Sequence, residues 1–577
     1  MKIQARITSA ISKSTLDLHP VLNQLMLSRG ATNNSDYTLP LAGLYNPELL
    51  LNIQIAVPLM LDALKLQSKI LIVGDFDADG ATSTALLKLC LQEFGYKFVD
   101  YLVPNRFEFG YGLTPEIVEV AKLKQPALII TVDNGIASVE GVARAKELGI
   151  KVLVTDHHLP AANLPAADCI LNPNQNGCSF PSKALAGVGV VFYLMLALRS
   201  ALREKGWFSS DERSEPNMMQ FLDLVALGTV ADVVPLDKNN RCLVKHGINL
   251  IKTGRCRVGI AALLDIAGKN KRNLNAGDLG FILGPRLNAA GRLDDMSVGI
   301  ECLLAESPTK AYLLAQQLDD LNKDRRTIEQ TMQVDALKLL ADINIKGGGR
   351  KGICLFNEEW HQGVVGILAS RLKDKFHLPA LVFAPSTEHQ DEIKGSARSI
   401  PGLHIRDLLD LVATNNPGLL SKFGGHAMAA GLSLRLQDFP AFEIALAKEL
   451  DGLVDAAMLE QVIYSDGSLN ADHLNLDFAE LLEDAGPWGQ HFPEPIFSGT
   501  FKVIEVRVLS EKHLKLLLKS AEPELIIDAI AFNVKSELLE KKLSQIEVLY
   551  RLQVNEFRGQ RSAQLLIEHF IQPNIDK

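Results

Sequence analysis

Asp75, Asp77 and Asp79 occupy alternate positions in Val73-Gly-Asp-Phe-Asp-Ala-Asp-Gly80. A structural Asx turn could use one such carboxylate, hardly three. The spacing invites an EF-hand calcium loop, but that loop needs a bidentate Glu at its twelfth position. Counted from Asp75, that place is Leu86. An apolar run before the segment and a helical pattern after it also disagree with an EF-hand. The remaining reading is a turn at a strand end that points Asp77 and Asp79 into a metal site.

Two more polar clusters end apolar runs: Thr131-Val-Asp133-Asn-Gly135 and Thr155-Asp156-His157-His158. Asp232 sits in Gly228-Thr-Val-Ala-Asp-Val-Val-Pro235 and, taken alone, reads as a helix-end cap. Carboxylates and imidazoles without a thiolate favour Mn2+ or Mg2+ over structural zinc. So many carboxylates call for two cations. A pair about 3.5–4 Å apart can activate water and stabilise the leaving oxygen of a phosphodiester.

These residues need a scaffold that brings them together. Short branched runs at Lys69–Val73, Phe98–Val103, Ala127–Val132 and Lys151–Thr155 read as buried strands. Helical patterns over Ala81–Phe94, Thr114–Lys124 and Val139–Leu148 separate them. This rhythm predicts a doubly wound parallel sheet, which binds ligands at the carboxyl ends of its strands. The polar clusters follow those ends.

A long helix is expected from Ser307-Pro308 to about Asp342, with Leu314, Leu318, Leu321, Arg325, Ile328 and Met332 forming a narrow packing seam. Such a helix could tether two lobes across a cleft, and Ile345–Arg350 reads as a linker. A second α/β segment runs from about Gly352 to Leu450. Strand-like runs at Thr500–Val508, His513–Leu518, Leu525–Phe532, Glu547–Val554 and Ser562–Ile567, with a helical stretch near Ser536–Leu543, suggest a small OB-like barrel. No internal repeat is evident.

The 577 residues exceed what one core usually serves, and 47% hydrophobic content excludes global disorder. No apolar run is long enough for a transmembrane helix, and no secretory signal is read at the N-terminus. Seven scattered cysteines with no C-x-x-C pair argue against a zinc ribbon or disulfide framework, and fit a reducing cytoplasm. A net charge of −9 counts against nucleic-acid binding, although carboxylate metal ligands and a local basic groove are compatible with it.

The blocks DFDADG, VDNG, DHH and GTVADVVP, in this order and roughly this spacing, resemble the four motifs of the DHH phosphoesterases. GPRLNAAGR (Gly284–Arg292), EWHQGVVGILASR (Glu359–Arg371), KGSARS (Lys394–Ser399), FGGHAMAAG (Phe423–Gly431) and DAGPWGQHFPEP (Asp484–Pro495) resemble further blocks of the family's bacterial exonucleases. The resemblance covers nearly the whole chain from about residue 70.

The resemblance implies a 5′→3′ exonuclease on single-stranded DNA, releasing 5′-mononucleotides with two Mg2+ or Mn2+ ions. It implies Asp77 and Asp79 as ligands, one to each metal, with Asp133 bridging, His157 and Asp232 as further ligands, and His158 as a substrate or metal neighbour. Asp156 is expected to hold a histidine. Many relatives carry a His where this chain has Val73, so Asp75 or water is expected to complete the first shell. Arg286, Ser396, Arg398, Gly424, Gly425 and His426 are expected to contact phosphate, and Arg106, beside Phe107, Phe109 and Tyr111, to line the DNA path.

The implied division is a catalytic domain with an N-terminal extension over 1–305, a connecting helix over 306–345, a DHHA1-like substrate-binding domain over 346–450, and an OB-like domain over 451–577. Lys502, Arg507, Lys515, Arg551, Arg558 and Arg561 are expected to help the barrel capture DNA, and a chain cut near Asp451 to keep a working cleft. The family also implies a cytoplasmic monomer in recombination and mismatch repair, with single-strand-binding protein and a helicase as partners and no membrane. A DHH oligoribonuclease or cyclic-dinucleotide phosphodiesterase would lack the extension beginning near Val462. A catalytically inactive DNA-binding scaffold would have lost ligands that are present here. Inorganic pyrophosphatase is disfavoured by length.

Overall fold

Residues 2–6, 17–105, 112–209, 213–342, 349–387, 389–510, 512–520, 524–534, 536–539 and 543–575 are described by a computed structural model. Arg106, Phe107, Phe109 and Tyr111 lie outside the described residues.

The first lobe is built on five parallel strands in the order Val99–Leu102, Ile70–Gly74, Leu128–Val132, Lys151–Thr155, Cys169–Leu171. Every residue of Ile70–Gly74 and Leu128–Val132 is buried, because helices cover both faces of the sheet. That burial explains their unbroken branched sequences. Chain order reverses between these two strands. Asp75 and Asp133 therefore leave adjacent strands at a topological switch point, where such sheets open a ligand crevice.

The helix Pro308–Asp342 spans 35 residues, about 50 Å at 1.5 Å per residue. Ala311, Ala315 and Leu318 pack into the first-lobe core. Met332, Ala336 and Leu340 pack into the second lobe. Between them lies a buried polar band of Asp319, Asn322, Arg325 and Glu329. Arg325 donates to Glu329 and Asn322, each at 2.6 Å, so the charge in the apolar seam is satisfied along its own helix.

The second lobe carries a mixed sheet in the order Lys422–Gly425, Ala429–Arg435, Glu392–Arg398, Ala380–Pro385, Ile353–Phe356. Only its last pair is parallel. The C-terminal strands Phe497–Leu509, His513–Lys519, Ile526–Ala531, Gln560–Ile575 and Leu543–Phe557 close in that order into a barrel. A bulge at Val503/Glu505 bends its first strand.

One arrangement differs from the sequence expectation. Lys2–Ala5 pairs in parallel with Val462–Ser465. Arg29 donates to both oxygens of Asp466 at 2.8 and 2.9 Å and to the Pro493 carbonyl at 2.7 Å. Leu236, just past Asp232, donates its N–H to the Gln490 carbonyl at 2.8 Å. Leu474, Phe478 and barrel residues such as Leu516 and Val548 belong to the same apolar cluster as the first-lobe core. The C-terminal part thus shares a core with the catalytic lobe, and a cut at Asp451 would expose it. No single helix among the described residues is long and apolar enough to cross a membrane.

Candidate active site

The metal loop starts where Ile70–Gly74 ends. The helix Ala78–Glu93 begins so close to the strand that a Cβ on Gly80 would lie 2.4 Å from the Asp75 carbonyl oxygen, so only glycine fits. Asp77 is the N-cap: its Oδ1 accepts from the N–H groups of Asp79 and Gly80 at 2.9 and 3.0 Å. Asn288 Oδ1 accepts from the Ala78 N–H at 2.8 Å and fixes the loop from the opposite side. Asp79 is buried, and its two oxygens accept from Gly187 and Val188 at 2.6 and 2.9 Å, at the start of the helix Gly187–Glu204. The positive end of that helix favours the carboxylate.

Asp133 follows the adjacent strand with φ +62°, a left-handed conformation that Asp tolerates better than most side chains. Gly187 makes room for it, since a Cβ there would lie 2.7 Å from the Asp133 Cβ. Asn134 Nδ2 ties the two strand ends together by donating to the Val73 and Val132 carbonyls at 3.1 and 2.9 Å.

Asp156 is consumed in shaping the next turn. Its Oδ1 accepts from the N–H groups of His157 and His158 at 2.7 and 3.1 Å and lies 2.8 Å from His158 Nδ1. Its Oδ2 accepts from the Ile136 N–H at 2.9 Å. His157 Nε2 lies 3.1 Å from Asp133, 3.4 Å from Asp232 and 3.9 Å from Asp79. That nitrogen is buried with no hydrogen-bond partner, while the ring makes a backbone hydrogen bond with Leu185. The bond therefore uses Nδ1, which leaves the Nε2 lone pair aimed at the carboxylates, as a metal ligand requires.

The electrostatics point the same way. Burial, then the neighbouring Asp77, push the Asp79 carboxyl up to about 7, against the hydrogen bonds from Val188 and Gly187. Burial together with Asp79 and Asp77 drives Asp133 and Asp232 well above the usual carboxylate range. Burial and the adjacent His158 lower His157 to about 4. Burial opposes charge on His158 too, but its bond to Asp156 and the field of Asp75 and Asp77 raise it to about 9. Such crowding of buried carboxylates around a neutral imidazole is costly unless a cation joins them. Ligand atoms of Asp75, Asp77 and Asp133 lie within 4.8 Å of one another, as do those of Asp79, His157 and Asp232, and those of Asp133, His157 and His158. The donor set of oxygen and imidazole, without sulfur, fits a divalent cation.

The second lobe faces this cluster. The His426 ring stacks on His158 with centroids 6.1 Å apart. Gly424, Gly431 and Ser396 lie abreast on three strands, and a Cβ on either glycine would meet nothing within 4 Å. Arg398 Nη1 donates to Ser396 Oγ at 2.8 Å and to the Ala397 carbonyl at 2.9 Å. Burial lowers its pKa, and it has no carboxylate partner among the described residues. Gly366, in the first turn of the helix Val365–Phe376, lets that helix approach: a Cβ there would lie 3.0 Å from Arg398 Nη2 and from Ser396 Oγ. A guanidinium, a hydroxyl and a helix N-terminus converging on open glycines suit an anion.

The structure thus brings together Asp75, Asp77, Asp79, Asp133, His157, His158 and Asp232, with His426 beside them. Arg286 is a correction. Its guanidinium is buried and bonded to Asp319 at 2.8 and 2.9 Å and to the Ile282 carbonyl at 2.7 Å. It fastens the long helix to the first lobe rather than facing phosphate. Sequence reasoning did not single out Asn288, Asn134, Gly187 or Gly366. All but Gly187 lie inside motif blocks, which was the available signal.

Family comparisons agree along the chain. Residues 69–229 match the DHH family N-terminal domain, 349–451 the DHHA1 domain and 465–569 the RecJ OB domain. The chain is 52% identical over 554 residues to the single-stranded-DNA-specific exonuclease RecJ of Dickeya dadantii (strain 3937), covering 96% of each. It is similar to crystal structures of RecJ from Thermus thermophilus. With the Mn2+ complex the TM-score is 0.81 at 28% identity, covering 99% of this chain and 79% of that one. With the Mg2+ complex it is 0.75 at 26% identity, covering 99% and 78%.

Proposed function

The chain belongs to the RecJ family of single-stranded-DNA-specific exonucleases, and on that footing we propose that it degrades single-stranded DNA from the 5′ end, releasing 5′-mononucleotides, with two divalent cations in the Asp–His cluster. One observation carries the two-ion reading. Two of the three ligand groups in the cluster share no residue, Asp75/Asp77/Asp133 and Asp79/His157/Asp232, and the third, Asp133/His157/His158, spans them. Asp133 of the first lies 3.1 Å from His157 of the second, which suits a bridging carboxylate. Mg2+ and Mn2+ both fit, and the Thermus relatives were solved with each. Bound there, the cations supply charge neutralisation at the scissile phosphate and lower the pKa of water.

The side chains do the rest. Asp77 and Asp79 hold fixed positions because backbone donors lock them. Asp156 holds His158 by its Nδ1, with the ring facing His426 of the second lobe, where it would neighbour the substrate. Arg398, Ser396 and the Gly424-Gly425-His426 segment hold the terminal 5′ phosphate and so decide which end enters. The seven free cysteines agree with a reducing cytoplasm. There we place the activity in recombination and mismatch repair, beside single-strand-binding protein and a helicase. Single strands labelled at either end test the polarity. A 5′ label should appear as mononucleotide at the earliest times, while a 3′ label should persist in shortening fragments. The reverse order would overturn the assignment of the second-lobe anion site.

A further inference from the structure

The barrel cations expected to capture DNA are mostly spent inside the fold. Arg507 pairs with Glu505, Lys515 with Asp528, Arg551 with Glu494 and Glu568, and Arg561 with Glu480. Exposed Lys502 has no ion pair among the described residues, and neither does Arg558. Arg558 sits at the exposed tip of the hairpin joining the last two strands, above the exposed ring of Phe557 at 5.3 Å. This tip is stapled to the catalytic lobe, because Asn273 donates to Glu556. Asn273 ends a short turn whose Lys271 and Arg272 are exposed. Lys271 Nζ lies 3.4 Å from where a Cβ on Gly254 would stand, which brings exposed Arg255 alongside. Arg255, Lys271, Arg272 and Arg558 have no ion-pair partner among the described residues, and Glu556, the acid at the staple, is held by Asn273.

Four unpaired cations on the two sides of this contact, one of them over an exposed aromatic, suit an anionic partner even in a chain of net charge −9. We propose that this seam between catalytic lobe and barrel is a landing site for the single strand outside the cleft, with phosphates against Arg255, Lys271, Arg272 and Arg558 and a base on Phe557. Alternating charge and π-face is what an unpaired strand offers, and such a surface binds it without sequence preference. An acidic protein would use the cations but not the ring. The proposal rests on the exonuclease reading and moves strand capture from the barrel's outer strands to its junction with the catalytic lobe.

The test uses the full chain, with fluorescent oligothymidylates of about 5 and about 30 nucleotides, near the lower end of and well above the span of one OB-type site. Lys271→Glu/Arg272→Glu/Arg558→Glu should weaken binding of the long strand at least ten-fold. Its log–log salt slope should fall by about 2, near 0.7 per lost phosphate contact. Loss on the short strand should be at least five-fold smaller. Phe557→Ala should weaken long-strand binding with an unchanged slope. The corresponding Gln triple variant repeats the test if the Glu triple fails to fold. Unchanged long-strand affinity and slope in a folded triple variant would overturn the proposal, as would equal losses on both lengths. A wild-type chain that binds strands but does not cut them would contradict the exonuclease reading instead, so the two failures are distinguishable.

Discussion

The rings of His158 and His426 lie 6.1 Å apart, tilted by 28°, one from each lobe. His158 belongs to the metal cluster, and His426 follows two glycines, the first with open space before it. Metal cluster and candidate phosphate pocket therefore share one wall, which places an end-bound phosphate next to the reacting groups.

That arrangement predicts end selection. Substrates with a 5′ phosphate should be cut faster than 5′-hydroxyl ones, and Arg398→Ala should shrink the preference. Rates on both substrates, measured for both proteins, decide it. An equal loss on the two would mean that Arg398 binds backbone generally.

Asp133→Ala should lower the hydrolysis rate by more than about a hundred-fold, as loss of a core catalytic group does. Single-strand binding should largely persist, since the phosphate donors lie away from Asp133, on the second lobe and at the barrel junction. Circular dichroism should match the wild type. A variant keeping more than about a tenth of the rate would contradict the bridging role.

Arg286→Ala should act on stability. Asp319 then keeps only the exposed Lys323 as a cation partner, and losing the charge-assisted bonds to its buried one costs about 2 kcal/mol. The thermal midpoint should fall, with strand affinity little changed. Asp319→Ala should give a similar loss, and the double variant less than the sum. Lost affinity at an unchanged midpoint would restore the phosphate role.

Metal-free protein should be pH-sensitive. Asp79 ionises near 7 in the fold against an ordinary 3.8, and Asp133 and Asp232 are raised in the same direction. A carboxyl raised by folding contributes stability that is full below its unfolded value and lost as pH climbs through its folded value. In EDTA, the midpoint should therefore fall as pH rises from 3.8 toward about 7, and the gain on adding Mn2+ should grow over the same window. A metal-induced gain that shrinks with rising pH would contradict the clustering of these acids.

The four motif blocks were legible because each is a contiguous segment at a strand or helix end, and the sheet pattern says which ends meet. The long helix was legible from its proline start and apolar period, and its observed bounds are Pro308–Asp342. Arg286 was misread because its partner, Asp319, sits on another helix, and nothing local marks an arginine as already paired. Lys515, Arg551 and Arg561 hid their acid partners on other segments for the same reason. Lys2–Ala5 is four residues of weak pattern whose strand partner lies at Val462–Ser465, and no periodicity signals a pairing across that separation. For that reason a chain cut at Asp451 should now lose stability as well as DNA affinity. One ending at Pro495 keeps the strand pair and Asp466, and should melt higher than the shorter one.

The most direct test of the metal assignment is anomalous scattering from crystals grown with Mn2+. The account predicts two peaks per chain, one among Asp75, Asp77 and Asp133, the other among Asp79, His157 and Asp232, with Asp133 touching both. A single peak, or two that leave Asp133 outside the shells, would contradict it.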